Sequence, residues 1–152
     1  MFAEDYLELK LPGAEKIKAR CHLFESFVED LLAREPGAIR FGMKTENVAI
    51  HAHCHAKSLM NVDFMKRLVE RLPGRRATLL DTGCCGMAGA FGALESKYEL
   101  SLKIAQPLLE RIGAQPEGSI VAASGTSCRH QIEHLSGRHP RHLAEVLAEA
   151  LE

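Results

Sequence analysis

Two adjacent cysteines, Cys84 and Cys85, lie between glycines in the segment DTGCCGMAGAFG at residues 81–92. Single cysteines stand well before and well after this pair, at Cys54 and Cys128. Neighbouring residues are too close for a relaxed disulfide, so the adjacent pair is not expected to bridge itself. Each of the three cysteine sites directly follows a short apolar run that is typical of a β-strand. The pattern therefore predicts that three strand ends deliver thiols to one place.

Strand and helix patterns alternate along the chain. Strands are predicted over residues 47–51, 77–81 and 119–123. Amphipathic helices are predicted over residues 14–34 and 61–72, between the cysteine pair and Gly113 with a break or bend near Pro107, after Cys128, and over 142–151. This alternation predicts an α/β fold, with a small parallel sheet flanked by helices in a three-layer, Rossmann-like arrangement.

The cysteines occupy equivalent places in this predicted sheet. Cys54, Cys84, Cys85 and Cys128 each lie just beyond the carboxyl end of a strand. Ligands of open α/β sheets bind beyond these ends. We therefore expect three cysteine loops, far apart in sequence, to meet at the carboxyl edge of the sheet.

Composition excludes several classes of function. The chain has 152 residues and a net charge of −1, so nothing in its charge indicates binding to nucleic acid or to an anionic membrane. No apolar run is long enough to span a bilayer, and the amino terminus does not resemble a signal peptide. Five cysteines without an export signal indicate a reducing, cytoplasmic compartment. Clustered cysteines there are metal ligands or redox thiols more often than structural disulfides.

Four thiolates are the usual ligand set of a [4Fe–4S] cluster or of a structural zinc site. Glycines beside the pair, at Gly83, Gly86 and Gly89, would let the backbone approach a bulky cluster and point amide groups toward sulfur. A helix beginning near Gly86 would aim its positive end at the site. A CxxC pair is absent, which argues against ordinary zinc fingers and thioredoxin-type motifs.

Several histidines accompany the cysteines. His51, His53 and His55 alternate around Cys54, and on extended backbone they would share one face. They are candidate ligands, candidate donors to the ligands, or proton carriers. His130, on the helix predicted after Cys128, is a further candidate to face the site.

The three cysteine segments together resemble the CCG cysteine-rich domain. The resemblance rests on Cys54 in HAHCH, on GCCGMAG at residues 83–89, and on SGTSCRHQIE at residues 124–133 followed by His139-Pro140. That domain occurs in the heterodisulfide reductase subunit designated B, in the glycolate oxidase iron–sulfur subunit and in the anaerobic glycerol-3-phosphate dehydrogenase subunit designated C. The sequence is most similar to the C-terminal region of FAD-linked oxidases related to D-2-hydroxyacid dehydrogenases.

The resemblance implies an electron-transfer role. Cys54, Cys84, Cys85 and Cys128 would ligate an iron–sulfur cluster, most simply [4Fe–4S], with the histidines tuning it or moving protons. FAD would lie on another domain or subunit, and partners would be that flavin-containing dehydrogenase and other iron–sulfur domains. Contact with the inner face of the membrane would run through such partners. The isolated chain is not expected to have dehydrogenase activity.

Two departures from the family pattern bear on this role. The pattern usually ends in CxxC, and Gly125 stands here in place of the first of those cysteines. Related proteins usually carry two such domains, whereas residues 1–152 contain one, with 1–40 as an N-terminal helical extension. The chain is therefore expected to be the C-terminal part of a larger oxidoreductase.

Two alternatives remain open on the sequence. A zinc ion, or no metal at all, would leave a structural or docking domain for the catalytic flavin subunit. Thiol–disulfide chemistry at Cys84 and Cys85 is the third possibility.

Overall fold

The computed structural model describes residues 4–152. The strands are β1 (Glu46–His51), β2 (Arg75–Leu79) and β3 (Ile120–Ala123). The helices are α1 (Asp5–Glu8), α2 (Ala14–Lys18), α3 (Phe24–Arg34), α4 (Cys54–Leu59), α5 (Asp63–Glu70), α6 (Glu95–Gly113), α7 (Thr126–Ser136) and α8 (Leu143–Ala148). A short 3₁₀ helix at Phe91–Ala93 precedes α6.

The three strands form one parallel sheet in the order β2-β1-β3, so β1 is central. Val48 of β1 lies opposite Ala77 of β2 on one side and Ile120 of β3 on the other. Each crossover between parallel strands carries helices, as the alternating sequence pattern requires. The α/β prediction is confirmed, and the cysteine loops leave the sheet at its shared carboxyl edge.

One face of the sheet carries a core made entirely of hydrocarbon and thioether side chains. Val48 and Ile50 of β1 point to this face, where α3, α5 and α8 cover them. Met65, Leu68 and Val69 line the inner side of α5 at helical spacing, and all three are buried. Complete burial of a side chain such as Leu68 contributes about 2–3 kcal/mol, so this face supplies much of the folding free energy.

The opposite face carries a second core, and two of the cysteines belong to it. Ala49 of β1 packs there with Leu108 of α6 and Ile132 of α7. Cys85 and Cys128 are part of the same cluster and are 3 % and 1 % exposed. Helices thus cover both faces, which confirms the three-layer arrangement.

The single helix predicted over residues 14–34 is wrong. The chain is interrupted after α2, and Leu23 is extended, with φ −67° and ψ 143°, directly before α3. Two of its large apolar residues do not face the core, because Phe24 and Phe27 are 45 % and 51 % exposed. The inner face of α3 is instead formed by Glu25, Val28, Glu29 and Leu32.

Glu29 can be buried on that inner face because two arginine side chains pair with it. Glu29 Oε1 lies 2.8 Å from Arg71 Nη2 and 3.5 Å from Arg67 Nε. The hydrogen bond from Arg71 lowers the pKa of the Glu29 carboxyl, against the effect of burial, and the charge of Arg67 adds to it. An amphipathic pattern read only from apolar residues could not place these glutamates.

Three smaller differences concern element bounds. Strand β2 begins and ends two residues earlier than predicted, and the helix at Cys54–Leu59 was not expected. Helix α6 continues through Pro107, so the break that was one of the two alternatives there is absent. Pro107 and Lys103, whose carbonyl loses its partner there, both lie on the exposed side of the helix. Within residues 4–152, no helix combines the length and apolar character needed to cross a membrane.

Candidate metal centre

Each cysteine loop is positioned by the end of its own strand. Cys54 is the first residue of α4, three residues beyond β1, and its side chain is exposed. Cys84 and Cys85 lie in an irregular loop after β2, the first half-buried and the second buried. Cys128 is the third residue of α7, beyond β3, and is buried.

The four thiols interact as two pairs. Cys54 acts on the pKa of Cys84, and Cys85 and Cys128 each act on the pKa of the other. The charges of Cys54, Cys84 and Cys85 all act on Cys128 as well. Three loops, far apart in the chain, therefore bring the four sulfur atoms into one electrostatic neighbourhood.

The buried pair holds its charge unequally. The pKa of Cys85 is lowered to about 4, chiefly because the Cys128 thiol donates a hydrogen bond to it, with smaller contributions from His51 and the Met87 backbone. The pKa of Cys128 is raised, because Cys85 holds its proton in place and because the side chain is buried. Within this pair, ionisation of Cys85 is favoured over ionisation of Cys128.

In the outer pair, burial raises the pKa of Cys84, and the negative neighbours act in the same direction. The backbone nitrogen of Gly86, 3.3 Å from Cys84 Sγ, opposes this by donating a hydrogen bond to the sulfur. The expected approach of a loop amide to a cysteine sulfur is therefore seen at this position.

The glycines of the loop have different reasons to be glycine. Gly86 has φ +92°, and a Cβ there would lie 2.3 Å from the backbone oxygen of Ser101 in α6. Gly89 has φ +69° in open space, and a Cβ added at Gly83 would meet no neighbour within 4 Å. The predicted helix start near Gly86 is wrong, because this tight contact holds the chain in a loop until the helical turns that lead into α6 at Glu95.

His51 is buried at the end of β1, and its Nδ1 lies 3.1 Å from Thr82 Oγ1. Its Nε2 is buried without a hydrogen-bond partner among residues 4–152. The ring approaches Cys85 closely enough to lower the pKa of that thiol, without the geometry of an ordinary hydrogen bond. An unpaired buried polar atom costs about 1–3 kcal/mol. Because Nε2 lies beside the Cys85 thiol, its lack of a partner supports a site in which a bound group, not part of the polypeptide, completes its hydrogen bonding.

The expectation that His51, His53 and His55 share the face of one strand is wrong. The strand ends at His51, and the backbone turns into α4 at Cys54. The rings of His53 and His55 are 6.2 Å apart, and His55 Nε2 reaches Glu4 Oε2 at 3.2 Å. Burial lowers the pKa of His53, although the charge of Cys85 acts in the opposite direction.

His130 lies on α7 but is exposed, and it lines a different cavity with Met87, Tyr98 and His134. Gln131, the next residue, is the buried one, and its Nε2 has no hydrogen-bond partner among the described residues. The proposed approach of His130 to the site stays a prediction.

The chemistry of these donors fits an iron–sulfur cluster as well as a zinc ion. In residues 4–152, no three His, Cys, Asp or Glu side chains are arranged to hold one metal ion directly. Zinc needs four donors around one point, at about 2.3 Å for sulfur. A [4Fe–4S] cluster is held by four cysteine thiolates around a group several atoms wide, so its ligands stand further apart. The four interacting thiols supply the donors that either group requires.

Sequence reasoning missed two features beside the cysteines. Lys57 Nζ donates to the backbone oxygen of Thr82 at 2.5 Å, which ties α4 to the loop of the cysteine pair. A cavity of about 350 Å³ is lined by His53, Ser124, Glu25 and His142 among others. No motif in the sequence marks these contacts, because they join residues from separate elements.

Glu25 is the unusual member of that cavity, since it is only 3 % exposed and has no lysine or arginine partner among the described residues. The Ser124 hydroxyl donates to its Oε1, and His142 Nε2 is 3.8 Å away. His142 Nδ1 accepts a hydrogen bond from the Ala144 backbone at 3.0 Å, which leaves Nε2 as the ring's N–H donor in the neutral form.

Comparison with known proteins agrees with this geometry. The cysteine-rich domain family designated CCG matches residues 48–133, which is more than half of the chain and includes all four interacting cysteines. No solved structure gives a significant match.

Three relatives illustrate the range of the similarity. The chain is 31 % identical to the anaerobic glycerol-3-phosphate dehydrogenase subunit designated C, from Escherichia coli K12, over 104 residues, which are 68 % of this chain and 26 % of that relative. D-2-hydroxyglutarate dehydrogenase from the same strain is 30 % identical over 52 % of the chain and 8 % of the enzyme. The Pseudomonas putida KT2440 enzyme of that name is 30 % identical over 91 % of the chain and 13 % of the enzyme.

The chain therefore matches only a small part, about a quarter or less, of each of these longer relatives. The family match contains every thiol of the two pairs and the strand ends that position them. This chain belongs to the CCG cysteine-rich domain family.

Proposed function

We propose that this chain is the iron–sulfur electron-transfer module of an FAD-linked oxidoreductase that acts on a 2-hydroxy acid or a similar substrate. The observation that carries the proposal is the meeting of four thiols, from three strand ends, at the carboxyl edge of the sheet. The names of its relatives, both dehydrogenases, support a redox role for a cysteine-rich module of this kind.

Cys54, Cys84, Cys85 and Cys128 would hold the cluster, with [4Fe–4S] as the simplest type for four thiolates. Such a group, when bound, accepts and releases one electron at a time. Assembly requires all four thiols to lose their protons. Cys85 meets that requirement already, since its pKa is about 4.

The remaining residues of the site would set its environment. The Gly86 backbone donates to Cys84 Sγ, and such hydrogen bonds to sulfur raise the reduction potential by stabilising negative charge. The buried Nε2 of His51, near Cys85, would be free to form a hydrogen bond with the bound group. Cys85 and Cys128 exclude water from the inner side of the site, while exposed Cys54 marks the side where an electron partner can approach.

The flavin would lie on another domain or subunit, and residues 1–152 would form one domain, with 1–40 as its N-terminal extension. Because the chain corresponds to a small fraction of its relatives, its natural partners would be a flavin-containing dehydrogenase and further iron–sulfur domains. A cytoplasmic location follows from the reduced thiols that the site needs.

One observation favours a second candidate, a structural or docking domain that holds zinc or no metal. The thiols already interact in pairs, and no set of three donors in residues 4–152 surrounds one point, which favours the metal-free form of this candidate. A domain with this arrangement would keep its fold without metal.

Anaerobic reconstitution with iron and sulfide tests the two candidates. We expect about four irons and four sulfides per chain, a brown colour and a reducible paramagnetic signal. Cys84→Ser should abolish the uptake, and Cys21→Ser serves as the matched control, because Cys21 lies between α2 and α3 outside the thiol pairs. Zinc binding alone, or equal iron uptake by both variants, would contradict the proposal.

A further inference from the structure

Two glutamates of α3 are buried, but only one of them has cationic partners. Glu29 is 5 % exposed and pairs with Arg67 and Arg71. Glu25, one helical turn earlier, is 3 % exposed and forms no ion pair with a lysine or arginine of residues 4–152. Removing a carboxylate from water is costly unless a positive charge or several hydrogen bonds compensate it. The fold therefore buries a carboxylate that its own lysines and arginines leave uncompensated.

The polar neighbours of Glu25 supply little compensation. The Ser124 hydroxyl donates a hydrogen bond to Oε1, and no described residue donates one to Oε2. His142 Nε2 lies 3.8 Å from Oε1, which is too far for a hydrogen bond. Nδ1 of the same ring accepts the backbone N–H of Ala144 at the start of α8. This cap needs a neutral ring, because both nitrogens of a protonated imidazole are donors. While His142 caps α8, it cannot be the counter-ion of Glu25.

Glu25 lines a cavity of about 350 Å³. Pockets that hold small molecules begin at about 300 Å³, so this volume suits a small ligand. His53 and His55 also line it, but neither forms an ion pair with Glu25, and His55 Nε2 is engaged with Glu4. No lysine or arginine of the described residues lines the cavity. Its walls include three apolar side chains and two hydroxyl groups, those of Leu23, Phe24, Met65, Ser124 and Thr126.

We propose that this cavity binds a small primary ammonium ion on a short hydrocarbon chain, with Glu25 as its counter-ion. The ammonium group pairs with Oε2, the oxygen that receives no hydrogen bond from the described residues. The hydroxyl oxygens of Ser124 and Thr126 can accept its other hydrogens, and the chain lies along the apolar wall at Leu23 and Phe24. The site contains no cysteine and needs no metal, so it goes beyond the proposed function and does not depend on it.

Charge and donor geometry select this ligand class. An anion would face the like charge of Glu25, and a neutral alcohol would leave that charge uncompensated. A metal ion lacks its donors, since no three His, Cys, Asp or Glu side chains of residues 4–152 are arranged to hold one. A guanidinium group pairs best with both oxygens of a carboxylate, whereas Ser124 already engages Oε1. A compact ammonium group can use the remaining oxygen alone.

NMR titration of the ¹⁵N-labelled, metal-free protein with n-butylammonium chloride tests the inference at neutral pH and constant ionic strength. We expect saturable shifts of the Ser124 and Thr126 amides. Butan-1-ol and butyrate carry the same hydrocarbon chain with no charge or with a negative charge, and they should bind at least about tenfold more weakly. Absence of saturable shifts with the amine would overturn the inference. Equal binding of butan-1-ol would also overturn it, because the cavity would then recognise only the chain.

Two variants of α3 show whether the Glu25 carboxylate is the group that binds. Glu25→Gln keeps an acceptor for Ser124 but removes the charge, and it should weaken amine binding by about tenfold or more. Glu29→Gln is the matched control, since its arginine partners lie outside the cavity lining, and it should leave the affinity unchanged. Equal amine affinity in Glu25→Gln and the natural protein would overturn the inference.

Stability without ligand gives an independent comparison. Glu25→Gln removes an uncompensated buried charge and should raise the urea midpoint of the metal-free protein, whereas Glu29→Gln, which breaks compensated ion pairs, should lower it. A fall in the urea midpoint for both variants would show that the fold itself already compensates Glu25, and the reason for a cationic ligand would be gone.

Discussion

The two faces of the sheet are built from similar helices but differ in what their cores can do. The face covered by α3, α5 and α8 has an apolar core without cysteines, and the buried Glu25 and Glu29 of α3 lie beside it. The face covered by α6 and α7 includes Cys85 and Cys128 among its buried residues. Half of the candidate ligand set is therefore also core, whereas Cys54 and Cys84 are supplied by loops at the edge. Folding and metal binding share residues on one face only.

The largest effect should come from the face without thiols. Leu68→Ala removes a fully buried side chain from α5 and should lower the free energy of unfolding by about 3 kcal/mol, because a cavity remains. Urea unfolding of the metal-free protein measures it. Any protein that stays folded should still bind iron, and a loss below about 1 kcal/mol would show that this core collapses easily.

A smaller loss of stability, with a change of chemistry, is expected on the other face. Cys128→Ala should cost about 1 kcal/mol and should raise the pKa of Cys85 from about 4 toward the ordinary range of a thiol, because its main hydrogen-bond donor is gone. Ultraviolet absorbance of the thiolate, followed against pH, reports the change. Cys21→Ala is the control and should leave that titration where it was. An unchanged titration in Cys128→Ala would show that the two thiols do not share a proton.

The ion pairs between Glu29 of α3 and the arginines that follow along α5 provide a third test, on the face of the sheet without cysteines. Glu29→Gln removes the charge that pairs with Arg67 and Arg71 and should lower the free energy of unfolding at pH 7. The loss should be only about 1 kcal/mol, because both arginines can be partly hydrated instead. The pKa of Glu29 is lowered on folding, so its contribution is complete above the usual value of 4.5 and is lost as the pH falls through the folded-state pKa.

The difference between the two proteins should therefore shrink in acid, which urea unfolding at several pH values would show. Glu70→Gln, which alters an exposed pair with Lys66, is the matched control and should have little effect at any pH. A difference that stays constant down to pH 3 would contradict this account.

The smallest change in stability should come from the edge of the site. Cys54→Ser alters an exposed side chain and should change the free energy of unfolding by less than about 0.5 kcal/mol. It should nevertheless abolish stable iron uptake, because the thiolate is one of four ligands. Full uptake by this variant would remove Cys54 from the ligand set.

The parts of the structure that depend on local pattern were predictable from the sequence. Apolar runs gave the three strands, and their spacing by helices gave a parallel sheet with Cys54, Cys84, Cys85 and Cys128 at one edge. The helix expected at Gly86 was wrong because the contact with Ser101 in α6 comes from a distant part of the chain.

The same limit applies inside the site. Glu25 and Glu29 are buried because of partners on other elements, and no pattern along α3 shows this. The contact of His53 with Gly125 joins two loops that follow different strands. Alternation of histidines suggested a common face, but the turn into α4 separates them.

Alkylation of the cysteines, read by mass spectrometry before and after anaerobic loading with iron and sulfide, tests the central claim most directly. In the metal-free protein, exposed Cys54 should react readily, and buried Cys85 and Cys128 should react slowly. After loading, Cys54 and Cys84 should become as protected as the buried pair, while Cys21 reacts as before. Labelling of Cys54 or Cys84 at an unchanged rate in the iron-loaded protein would contradict a single site built from all three loops.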